Sequence, residues 1–213
     1  MGDFYIAENR KWYPLGATRV RGGYHFATTA GEKSCALVLY RAGKTAPIQK
    51  ISFREEDKTG DVWNMTLMGS DFQGLEYAYE ADGTLQADPY GTSFCGREKW
   101  GSLAQAKKTL KTPLDREEFD WEGDRPLEIP YEDTVIYRLH VRGFTRHSSS
   151  GTEEHGTFSA IAEKIPYLKD LGVTAVELLP PVEFEEVMMP EGAGKHPYVK
   201  EEPTGKLNYW GYT

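Results

Sequence analysis

The chain has 213 residues, 39% hydrophobic and 27% charged, with a formal net charge of −8. That length accommodates one or two domains with a real core, and the acidic balance gives no basic surface to offset phosphate or anionic lipid. It therefore reads as neither a nucleic-acid binder nor a membrane-surface protein. The first ten residues lack a basic segment followed by an apolar one, and no apolar run reaches the roughly 18 residues of a membrane span. The expected location is cytoplasmic.

From Gly16 to about Gly91 short β runs alternate with turn chemistry. The expected strands are Gly23–Thr29, Ser34–Arg41, Ile48–Arg54, Asp61–Met68 and Leu75–Asp82, separated by breaks such as Ala42-Gly-Lys44 and Asp82-Gly83. This spacing predicts an all-β, immunoglobulin-like antiparallel sandwich over residues 1–100. Trp63, Phe72 and Tyr40 are candidates for a flat platform, because sugar rings stack on aromatic faces. The alternating register nevertheless puts Trp63 on one face with Met65 and Leu67, which reads as core. Cys35 sits in an apolar run and reads as a small buried hydrophobe. Two cysteines, Cys35 and Cys95, do not make a disulfide framework.

The pattern loses its period after Thr92, and Pro113, Pro126 and Pro130 sit among charges. Residues 101–132 therefore read as a connector. A second pattern begins at residue 133. Thr134–Val141 is β-branched and reads as a strand. Thr157 is placed to cap a helix, on which Phe158, Ile161, Ile165, Leu168 and Leu171 form one apolar face. Pro166 should divide that helix, and Gly172 should end it. Val173–Leu179 reads as a second strand, apolar enough to be covered on both faces. The expected product is a right-handed βαβ unit, the opening of a (β/α)₈ TIM barrel left incomplete over residues 133–213. A closed barrel of this type needs about 250 residues. The chain then reads as the first part of a longer enzyme.

Chemistry-bearing residues are sparse. His140 and Arg142 fall at the end of the first barrel-like strand, where catalytic faces form, but read as hydrogen-bonded supports. Glu177 is a solitary carboxylate and reads as buried and structural. His147, His155 and His196 lack partners at metal-ligand spacing, and Glu183, Glu185 and Glu186 read as a solvated cluster. No metal and no cofactor is expected.

Four blocks carry a family resemblance. Val135-Ile-Tyr-Arg-Leu-His-Val-Arg-Gly-Phe-Thr145, Gly156-Thr-Phe158, Lys164–Pro180 and Asn208-Tyr-Trp-Gly-Tyr212 occur in order. The stretch resembles the start of the α-amylase superfamily, glycoside hydrolase family 13, nearest to its debranching members: type I pullulanases, isoamylases and bacterial glycogen debranching enzymes. Upstream, Pro14-Leu-Gly-Ala17, Gly22-Gly-Tyr-His-Phe26, Tyr77–Gly83 and Asp88-Pro-Tyr90 resemble the carbohydrate-binding module family 48 sandwich that precedes their barrels.

The resemblance implies hydrolysis of α-1,6 links in glycogen, amylopectin or pullulan by a retaining pair of carboxyl groups. Those groups lie on later barrel strands of the family, so no catalytic residue is assigned before Thr213. It also implies an α-glucan ligand, with Tyr212 as a platform under the sugar and Trp210 and Asn208 as further substrate-binding candidates; Asn208 also suits a turn cap. A non-catalytic glucan-binding scaffold and a branching or transferase enzyme of the same superfamily remain alternatives.

Overall fold

The computed structural model describes residues 4–7, 12–115, 119–188 and 205–212. It comprises two compact units, residues 1–119 and 120–213.

Among its described residues the first unit contains ten strands: β1 (Tyr5–Ala7), β2 (Gly16–Val20), β3 (Gly23–Thr28), β4 (Cys35–Arg41), β5 (Pro47–Ser52), β6 (Lys58–Thr59), β7 (Val62–Met68), β8 (Leu75–Ala81), β9 (Thr84–Gln86) and β10 (Thr112–Pro113). One antiparallel sheet runs β1-β7-β3-β2 with β6 added beside β7. The other runs β10-β8-β4-β5 with β9 beside β8. The five strands read from alternation appear within two residues of their expected ends. β1, β2, β6, β9 and β10 carry too few alternating positions to declare themselves.

Period-two alternation drives the packing. Phe26 of β3 and Trp63, Met65 and Leu67 of β7 face Leu37 and Leu39 of β4 and Tyr77 and Tyr79 of β8 across one core. Phe26 and Tyr77 meet edge to face, 5.2 Å apart, between the sheets. Gly23 has a steric reason: a Cβ there would lie 2.2 Å from the Leu67 carbonyl oxygen. Thr112–Pro113, inside the stretch that reads as a connector, forms an edge strand on β8, and Leu114 enters the core.

The three aromatic platform candidates do not share an exposed surface. Trp63 is 2% exposed and donates its indole N–H to the Gly31 carbonyl at 2.8 Å. Phe72 packs on Phe4 and Tyr24. Tyr40 is buried with Val38 and Ala78 on the outer face of the second sheet. There the Lys111 ammonium lies 5.0 Å from its ring and pairs with Glu76.

Asp88 is a buried carboxyl that accepts from the Tyr77 hydroxyl at 2.5 Å and from the Tyr90 amide at 2.9 Å. Burial pushes its pKa up, and these two bonds only partly offset that. A raised folded-state pKa stabilises the fold below the ordinary aspartate range and loses that contribution as pH rises through the folded value. The wild-type chain should therefore gain stability relative to Asp88→Asn as pH falls from 7 toward 4. Urea unfolding at both pH values reads this, and equal differences at both would refute it.

The second unit begins with β11 (Ile136–Leu139), followed by helix α2 (Val141–Thr145), α3 (Phe158–Glu163), α4 (Ile165–Asp170) and β12 (Ala175–Leu178); α1 (Leu103–Ala106) lies in the first unit. β11 and β12 pair in parallel, Ile136 with Ala175 through Leu139 with Leu178. The hydroxyl of Thr157 accepts from the Ala160 amide and starts α3. Pro166 sits in the first turn of α4, and Gly172 ends it at φ +86°.

Three expectations are corrected here. The first strand is shorter, because His140 caps α2 and turns Val141–Thr145 into helix. The helical apolar face is not buried as a whole: Leu168 is, whereas Phe158, Ile165 and Leu171 are each more than half exposed. The second strand is not covered on both faces, since Val176 is exposed, as is Ile136 on β11. Among the described residues no helix is long and apolar enough to cross a membrane.

Candidate functional site

Parallel pairing brings the C-terminal ends of β11 and β12 side by side, and the aromatic run 208–212 lies over them. On β11, residues two apart share a face. His140, the α2 cap just after the strand, is still extended (φ −95°, ψ 123°), so Arg138 and His140 point the same way, while Tyr137 turns aside to pack edge-on against Phe144 at 5.9 Å.

His140 grips the aromatic run. Its ring stacks on Tyr209, centroids 4.0 Å apart and planes 6° apart. Nδ1 accepts from the Gly143 amide at 3.0 Å, which leaves the proton on Nε2, and Nε2 donates to the Tyr209 carbonyl at 2.5 Å. Trp210 stands edge-on to this stack, 5.1 Å from Tyr209. The expected supporting role of His140 is thus given concrete partners. Gly143 makes the stack possible: a Cβ there would fall 2.1 Å from the Tyr209 hydroxyl oxygen.

Asn208 fixes the start of the run. Its amide donates to the Glu186 carbonyl at 2.7 Å, its Nδ2 to the Glu185 carbonyl at 3.2 Å, and its Oδ1 accepts from the Gly211 amide at 3.2 Å. It is therefore a turn cap, with its side chain spent on backbone. Gly211 adopts φ +75° and passes against Phe184, so the chain reverses there and presents Tyr212.

Tyr212 is 61% exposed and Trp210 55%. With Arg138 and Leu179 they line a shallow depression. The Tyr212 hydroxyl accepts from Arg138 Nη2 at 2.7 Å, and Arg138 Nε lies 3.3 Å from Glu177 Oε1. Glu177 is consequently not a buried solitary acid: its side chain is 54% exposed and paired. Sequence reading missed Arg138. Its signal was present, since a strand position two before His140 must share its face.

The remaining candidates do not join this site. Arg142 lies in α2, half-buried. His155 shares hydrogen bonds with Ser150, Thr152 and the Thr145 carbonyl, and His147 with Ser149. His196 is outside the described residues. Glu183 and Glu185 are exposed and Glu186 half-buried. Among the described residues no three His, Cys, Asp or Glu side chains converge as a metal centre would require. Cys35 and Cys95 are free thiols, each pushed up to about 12 by burial.

The arrangement offers flat apolar rings beside a charged hydrogen-bond donor, open to an uncharged ring-shaped ligand. No family model matches the chain. It is 32% identical over 227 residues to isoamylase SU1, chloroplastic, of Zea mays, covering 94% of this chain and 27% of that protein. It is 37% identical over 175 residues to isoamylase 1, chloroplastic, of Arabidopsis thaliana, covering 74% and 22%. Against the glycogen debranching enzyme of Yersinia pseudotuberculosis serotype IB it is 33% identical, covering 73% and 26%. Among solved structures, the pullulanase of Paenibacillus barengoltzii in complex with maltohexaose and alpha-cyclodextrin superposes with a TM-score of 0.63 at 26% identity, over 84% of this chain and 28% of that one.

The β-rich fold is that of the N-terminal domain of debranching-type glycoside hydrolases, the class these matches point to. The chain's homologues are isoamylases, glycogen debranching enzymes and pullulanases, the debranching enzymes of glycoside hydrolase family 13, and the chain matches their N-terminal part. It spans about a quarter of the length of the relatives it matches.

Proposed function

We propose that this chain is the N-terminal portion of an enzyme that hydrolyses α-1,6 branch links in glycogen, amylopectin or pullulan. In this reading the first unit is a carbohydrate-binding-module-like sandwich of the immunoglobulin type. The residues from 133 onward open a (β/α)₈ barrel. Barrel enzymes place their sites at the C-terminal ends of the strands, and the aromatic run meets β11 and β12 at that end. This is the observation that carries the proposal.

Tyr212 then offers a face to the glucosyl ring, and Trp210 a neighbouring wall. The role of Asn208 in substrate binding is indirect, through the turn that aims Tyr212. The retaining chemistry requires two carboxyl groups about 5–5.5 Å apart. In the family these stand on later strands, outside residues 1–213. The exposed Phe158, Ile165, Leu171, Ile136 and Val176 fit the same reading, because neighbouring barrel elements cover such positions.

The 213-residue chain should release no reducing ends from pullulan or glycogen above buffer. A polypeptide extended through the remaining barrel strands should do so. Turnover by the 213-residue chain would place the reactive acids within it and overturn the assignment.

A further inference from the structure

We propose that Arg138, braced by Glu177, is a positioning and specificity-determining residue of the strand-end depression. It sets the orientation of Tyr212 and offers its remaining donors to adjacent hydroxyls of a glucosyl ring lying on that tyrosine. This rests on the α-glucan reading above and adds a residue to it.

Three observations converge. First, Arg138 and Glu177 are register partners in the parallel pair. Their side chains therefore leave the same face of the sheet, and Nε of one lies 3.3 Å from Oε1 of the other. Second, Nη2 of Arg138 donates to the Tyr212 hydroxyl at 2.7 Å, across 74 residues of sequence. Third, Arg138 lines the depression together with Leu179, Trp210 and Tyr212.

An exposed ion pair contributes little stability on its own. The pair between Arg138 and Glu177 acts through geometry instead. A guanidinium is planar, with five N–H donors in fixed directions. The ion pair with Glu177 draws Nε to one side and the hydrogen bond from Nη2 to Tyr212 holds the other, so the two contacts together restrict how the group can turn. Its Nη1 donors then have no partner among the described residues. One of them, with the second N–H of Nη2, forms a two-nitrogen fork that suits two neighbouring hydroxyl oxygens on a sugar ring. Lysine, a single flexible point charge, would not reproduce the fork. Arg138 on β11 and His140 just beyond its end thus hold the aromatic run at two points: His140 at Tyr209, Arg138 at Tyr212.

The test uses the 213-residue chain and maltotriose, with calorimetric titration. Arg138→Gln should weaken binding about tenfold, Arg138→Lys should recover only part of that, and Glu177→Gln should weaken it about threefold. Thermal unfolding midpoints should not move, because both side chains are exposed. Without ligand, Arg138→Gln should shift the ring resonances of Tyr212 in tyrosine-labelled NMR spectra, assigned with Tyr212→Phe.

Unchanged Tyr212 resonances in Arg138→Gln would overturn the positioning role. If Tyr212→Ala abolishes maltotriose binding while Arg138→Gln binds like wild type, the specificity role of Arg138 falls and the glucan reading stands. If the wild-type chain does not bind maltotriose, both the glucan reading of this depression and the ligand-reading role of Arg138 fail together.

Discussion

Lys111→Met is expected to destabilise the first unit by about 3–5 kcal/mol, the cost of leaving one member of a buried ion pair alone. Lys111 and Glu76 have side chains only 11% and 8% exposed. The ammonium also donates to the Lys44 carbonyl at 2.9 Å and lies against Tyr40. Glu76 in turn accepts from the Gly43 amide at 2.9 Å. The pair ties the segment before β10 to the outer face of the second sheet. Remove the cation, and a carboxylate stays behind under cover. The double variant Glu76→Leu/Lys111→Met should recover most of the loss, because a packed apolar pair often matches a buried ionic one. Chemical denaturation of the wild type and the two variants tests this. A single variant as stable as wild type would show that the pair is hydrated.

The same pair has a definite pH signature. Burial pushes the Glu76 pKa up, but Lys111, the Gly43 amide and the Cys95 thiol outweigh it, and the carboxyl titrates below its ordinary range. A depressed folded-state pKa contributes stability above the unfolded value, and that contribution is lost as pH falls through the folded one. Glu76 and Asp88 therefore pull in opposite directions in acid. Acid sensitivity should shrink in the double variant and grow in Asp88→Asn.

His140→Ala should release the aromatic run over β11 and β12. The substitution removes a helix cap worth about 1 kcal/mol, a ring stack worth about 0.5–1.5 kcal/mol and a hydrogen bond worth about 1 kcal/mol. Amide exchange at Gly211, whose N–H is held by Asn208, should accelerate by one to two orders of magnitude, a change of about 1.4–2.8 kcal/mol. Gly143→Ala should act similarly with His140 intact, since its Cβ would drive the Tyr209 hydroxyl away. Exchange at Gly211 that stays at the wild-type rate in both variants would mean that the run is held from elsewhere.

The strands of the sandwich were readable wherever alternation ran long enough. Val62–Met68 and Leu75–Ala81 announce both their type and their buried face. The two-residue strands were silent, because a pattern with period two needs several residues to appear. In the second unit, Thr157, Pro166 and Gly172 marked the helix boundaries, since capping and proline geometry are local. Burial was misjudged there. Leu168 and Leu171 look equivalent on a helical wheel, yet one is covered and the other is not. Covering depends on neighbours, which periodicity does not count. The site was half legible: Tyr212 and His140 stood out by residue type and place, whereas Arg138 looked like an ordinary charge and Glu177 like a buried solitary acid.

The sequence by itself determined what is local: alternation, caps, breaks, and an aromatic run in a family's order. Only the tertiary structure decided what is joined. It made Arg138 and Glu177 register partners, laid Tyr209 on His140, and buried Asp88 and Glu76 with opposite effects on their titration. The reason is physical. A residue's chemistry is written in its side chain, but its dielectric surroundings and its partners come from segments far along the chain, and those meet only when the strands pair.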